Sequence, residues 1–113
     1  MIPTVRPGTI TIPTSDTVTA GTTSIYLNGI LSPIVVSVPA LEGTGTATVL
    51  GVDNLGGTIF SSTAINESAK AVVPPFGTPS YFDGTLTLTA TASGTQSAAR
   101  IITFNLYYGA KQG

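Results

Sequence analysis

Apolar and polar positions alternate along most of this chain. The clearest run is residues 84–92, where Leu86, Leu88, Ala90 and Ala92 interleave with Thr85, Thr87, Thr89 and Thr91. A period of two sends successive side chains to opposite faces, which predicts a half-buried β-strand. The same period recurs near the end of the chain. There Ile102, Phe104, Leu106 and Tyr108 share one face, with Thr103, Asn105 and Tyr107 opposite. Ile34, Val36 and Val38 form the inner face of a β-branched run bracketed by Pro33 and Pro39, where ladder donors are not needed.

Shorter segments fill the rest. Residues 9–12 predict a strand stopped by Pro13, and Ser15-Asp16-Thr17 a turn held by side-chain oxygens. Residues 22–27 predict another strand, ended by Asn28-Gly29, a dipeptide that tolerates positive φ and signals a tight reversal. Residues 44–52 form a strand in which Gly45 and Gly51 mark a bulge or a close backbone approach. The turn Asp53-Asn54-Leu55-Gly56-Gly57 joins it to 58–61 as a hairpin. Residues 63–70 read either as a short helical turn or as a loop leading into strand 70–73. Three prolines make 74–79 an exposed connection, and 93–100 reads as a mobile loop. The expected organisation is an extended N-terminal arm (1–7), one domain (8–109) and a short tail (110–113).

These elements predict an all-β fold: an antiparallel two-sheet sandwich of about eight short strands. Strand count alone does not separate an immunoglobulin-like order from a jelly roll. The Cys pair and Trp that anchor antibody domains are absent.

Composition narrows the chemistry. The 113 residues suit one domain, and 13 glycines with 8 prolines suit many tight turns. The chain has no Cys and no His, and net charge is −1. Four cations, Arg6, Lys70, Arg100 and Lys111, are scattered rather than clustered. That argues against nucleic acid and membrane surfaces as partners, since both need converging cations. The N-terminus lacks the basic-then-apolar pattern of a signal peptide, so the expectation is a protein made in a cytosol.

Candidate reaction centres are thin. The carboxylates Asp16, Glu42, Asp53, Glu67 and Asp83 each sit in or beside a turn-like segment, which favours turn capping over paired acid–base work. Asp53-Asn54 offers too few oxygens for calcium. With no His, a Ser or Thr nucleophile would need Lys70 or Lys111 as its base, and no Ser-x-x-Lys motif occurs. The expectation is a non-enzyme with no cofactor, no metal and no small-molecule substrate. Phe60 and Phe104 read as core. Tyr81-Phe82 reads as a platform or as a cap over one end of the sandwich, and Tyr107 as an interface residue.

Five stretches carry a family resemblance: Gly45-Thr46-Ala47-Thr48-Val49, Gly57-Thr58-Ile59-Phe60-Ser61-Ser62, Ala64-Ile65-Asn66-Glu67-Ser68-Ala69, Asp83-Gly84-Thr85-Leu86-Thr87-Leu88 and Ile102-Thr103-Phe104-Asn105-Leu106-Tyr107-Tyr108. In order and texture, the chain from about Gly43 to Tyr108 resembles small β-sandwich virion proteins of tailed bacteriophages, including decoration (cement) proteins. The resemblance implies a capsid-surface protein whose partners are the major capsid protein and copies of itself. It carries no catalytic residues. The alternative expectation is an immunoglobulin-like module recognising a glycan or host surface. The segments expected to make contacts are the arm (Pro3, Val5, Arg6, Pro7) and the proline-rich connection with its neighbours (Pro75, Phe76, Tyr81, Phe82), together with Tyr107.

Overall fold

A computed structural model describes residues 4–15, 17–42, 45–75 and 81–110. Its elements are β1 (Thr4–Ile12), β2 (Ala20–Val38), β3 (Thr46–Val52), β4 (Thr58–Ser61), β5 (Ile65–Asn66), β6 (Ala69–Val73), β7 (Tyr81–Ala92) and β8 (Arg100–Ala110). All pairings are antiparallel, and the main hydrogen-bonded order is β1-β8-β2-β7-β3-β4, with β5 on β3 and β6 on β2.

The 19-residue β2 organises the sandwich. Straight, it would span about 60 Å, yet the longest axis of the molecule is 47 Å. It therefore bends back. Its first half pairs with β7 from Ala20 opposite Thr91 to Ile30 opposite Tyr81. Its second half pairs with β8 on one edge and β6 on the other. Leu31 faces Tyr108 and Ile34 faces Leu106, so Ser32 and Pro33 together oppose Tyr107 in a bulge. Proline is tolerated there because the bulge needs no ladder donor.

This corner divides the molecule into two four-stranded layers. One holds the first half of β2, then β7, β3 and the interrupted edge strand β4 and β5. The other runs β6, second half of β2, β8, β1. A strand that switches sheets at a bulge is a known way to build a corner. The resulting order is that of an eight-stranded jelly roll, which settles the choice left open by strand count.

Asn28-Gly29 was expected to make a tight hairpin. They make no turn: both lie inside β2 without positive φ, their register against β7 is unbroken, and the bulge that makes the corner comes later, at Ser32-Pro33. Gly29 is there for proximity: a Cβ on it would fall onto the Gly109 carbonyl oxygen. Gly21 serves the same purpose at the other end, where a Cβ would meet the Thr11 carbonyl oxygen of the facing sheet.

The core lies between the layers. Leu86, Leu88 and Ala90 of β7 are fully buried, as are Ile34 and Val36 of β2 and Ile102 and Leu106 of β8. Tyr108, expected on the same face, packs against the core from its margin. Phe60 and Phe104 are core residues. The β3–β4 hairpin forms as expected, with a register shift between Gly51 and Val52.

Two local expectations change and one choice between alternatives is made. The supposed arm joins β1 from Thr4, with Val5 opposite Tyr107 and Pro7 opposite Asn105. Pro7 sits on a strand that, among the described residues, pairs on one side only, where proline is tolerated. Residues 63–70 contain β5, a turn with Ser68 at φ 56° and the start of β6, so the loop reading holds over the helical one. Residues 93–100 are pinned rather than loose. Gln96, only 1% exposed, accepts from the Glu42 amide at 2.9 Å and donates to the Gly94 carbonyl at 2.9 Å. Gln96→Ala strands those backbone groups, and the expected cost is about 2 kcal/mol, measured by urea denaturation.

Candidate interaction face

The outward positions of the two layers differ in chemistry. On the β2–β7–β3 layer, alternation turns hydroxyls outward. Thr22 and Thr89 hydroxyls lie 3.2 Å apart, as do those of Ser24 and Thr87. Thr48 stands beside Thr91. At the end of this face Tyr26 donates to Asp83 Oδ1 at 2.6 Å.

The opposite layer presents a more apolar surface. Register places Val72, Val35, Asn105 and Pro7 in one row across β6, β2, β8 and β1. Val5 and Tyr107 form the next row, over the bulge. Lys70, Ser37, Thr103 and Thr9 form the row on the other side. Val72 is 65% exposed and Val5 45%. Lys70 is the sole charged side chain in these rows.

Val5, Pro7 and Tyr107, expected as contact residues on different grounds, thus meet on one face. Arg6 alternates to the inward side, opposite Leu106, at an exposed end of β1. Phe82 is partly buried and packs against the core. Pro75 lies two residues beyond the end of β6. Pro3 and Phe76 lie outside the described residues, as does the side chain of Tyr81. Val35 and Val72 were not anticipated. Their strands carry no mark of partnership, and only the β2–β6 register brings them together.

Asp53, Asp83 and Glu42 hold local structure through their carboxylates. Asp53 Oδ1 accepts from the Leu55 amide at 2.9 Å and the Gly57 amide at 2.8 Å, capping its turn as expected. Asp16 lies outside the described residues, while Ser15 Oγ holds the neighbouring turn through the Thr17 and Val18 amides. Glu42 accepts from the Ser97 hydroxyl, the Ser97 amide and Arg100, whose guanidinium lies 3.3 Å away.

The Ser97 hydroxyl, helped by the Ser97 amide and Arg100, holds the Glu42 carboxyl below its ordinary value against an upward push from desolvation. A lowered carboxylate pKa stabilises the fold at neutral pH, and that contribution disappears as pH falls through the lowered value. Melting temperatures of the wild type and Glu42→Gln should therefore differ at pH 7, wild type higher. They should converge in acid, where both side chains are neutral.

No protein-family model matches the chain, and no curated protein does. Among solved structures, the chain is similar over 99% of its length to the Yersinia pseudotuberculosis-derived mitogen, covering 92% of that chain at 11% identity and a TM-score of 0.47. It is also similar, over 99% of its length, to the virus-like particle of the giant freshwater prawn Macrobrachium rosenbergii extra small virus. That match covers 82% of the viral chain at 15% identity and a TM-score of 0.39. At these scores neither likeness bears on function.

Proposed function

We propose that this is a non-enzymatic virion structural protein, a decoration protein that binds the outside of a tailed-phage head and stabilises the shell. Its partners in this reading are the major capsid protein and neighbouring copies of itself. The observation that carries the proposal is the outward face of β1, β8, β2 and β6, where Val5, Pro7, Tyr107, Val35 and Val72 gather around Asn105 with Lys70 as the sole charge.

Such a face can be buried without stranding several charges in a dry interface, a step that costs several kcal/mol per ion. A face with few charges and several exposed apolar side chains suits a protein-docking surface. The Thr-rich opposite face then stays in water. The mechanism is mass action: a ligand that binds only the intact shell stabilises it by about 4 kcal/mol per site when free protein exceeds the dissociation constant a thousandfold.

Cosedimentation with purified heads of the phage that encodes the chain tests this, paired with a glycan array. Binding to heads, with a rise in their disruption temperature, supports the proposal. Glycan binding without head binding would replace it with the recognition-module reading.

A further inference from the structure

The two layers part along one side of the sandwich. There, an open cleft of about 420 Å³ runs between the β4–β5 edge and β6, lined by 61–66 on one wall and 69–74 on the other. Its volume is in the range of pockets that hold ligands. The chemistry of both walls is that of strand edges. Among the described residues, β6 pairs only with β2, so its other edge has no ladder partner. On the facing wall, β4 and β5 are separated by residues 62–64, and Ser62 is already used by Val49 through its amide and its hydroxyl. Small residues, Ala64, Ala69 and Ala71, leave the space between them.

We infer that this cleft binds an extended peptide segment of a partner protein, added alongside β6 and carrying a carboxylate opposite Lys70. The unpaired edge of β6 supplies a row of backbone donors and acceptors, the recognition mode of strand addition. Lys70 is the only charged residue in the lining. It has no ion pair among the described residues. A lysine near the start of an exposed edge, with Pro74 and Pro75 just past its end, discourages pairing with a second copy of the same edge. The occupant is therefore a different chain, and its charge is complementary. This inference does not rest on the capsid reading.

The probes are two acetylated, amidated heptapeptides, Thr-Val-Thr-Glu-Thr-Val-Thr and the same peptide with Lys for Glu. They are titrated into the isotope-labelled full chain while backbone amides are followed by NMR. The expected result is saturable shifts confined to 61–74, with the Glu peptide binding about three-fold tighter, as for an exposed ion pair. Lys70→Glu should invert that preference, and Ala64→Trp, at an exposed lining position, should abolish both titrations with the fold intact. Absent or scattered shifts would overturn the inference. So would equal binding of both peptides, or a preference unchanged by Lys70→Glu. Neither depends on whether the protein binds heads.

Discussion

Phe60→Ala lowers the free energy of unfolding by about 4 kcal/mol, the range for a large aromatic removed from a closed core. Phe60 sits on a four-residue edge strand, where side chains are usually half wet, yet it is fully buried. The reason is Gly51 on the paired strand. A Cβ there would lie 3.1 Å from the Phe60 ring and 3.0 Å from Leu88. The missing side chain at Gly51 is the room into which Phe60 folds, so the ring reaches the central strand β7 from the margin of the sheet. Truncation leaves a cavity that β4 cannot collapse to fill, because the bulge between Gly51 and Val52 fixes its register. A domain of this size has about 5–15 kcal/mol in total, so the variant is marginal at 37 °C. Urea denaturation should give a lower midpoint with an unchanged slope. Phe60→Leu should recover more than half of the loss. Equal instability of both variants would mean that ring shape, not volume, matters at this site.

The legible part of the fold is what period two and turn chemistry control. The faces of β7 and β8 follow from alternation alone, because each strand has one side in the core and one in water. The Asp53 turn follows from a carboxylate placed to reach two amides within four residues. What sequence hides is anything set by contacts distant along the chain. Gln96 lies in a Ser- and Gly-containing segment that looks mobile, and its anchor is Glu42, 54 residues away. Asn28-Gly29 carries a turn signal that the fold overrides: both residues stay extended within β2 because β7 and β8 pair along it there, and the corner falls at the Ser32-Pro33 bulge instead. The prolines of the first residues suggest exclusion from ladders, yet an outermost strand has one side that needs no donors. The candidate face is half legible: Tyr107 is flagged by standing opposite a core face, whereas Val72 becomes its neighbour only through the pairing of β6 with β2.

If the proposed docking to a phage head holds, Val5→Glu combined with Val72→Glu should weaken it by about 100-fold, equivalent to about 3 kcal/mol. Both side chains are exposed in the free protein, so folding should change by no more than a few tenths of a kcal/mol. In the complex both carboxylates would be desolvated on a face whose one cation, Lys70, neighbours only the second of them through β6. The loss then comes from uncompensated burial of charge and should appear mainly in the dissociation rate. The matched control puts the same charges on the other layer, Thr22→Glu with Thr48→Glu, and should alter affinity less than three-fold. This comparison assigns the docking face as well as testing for one. If the Thr22 and Thr48 pair is the damaging one, the hydroxyl surface of β2, β7 and β3 makes the contact, and the row containing Val35 and Tyr107 faces solvent on the virion.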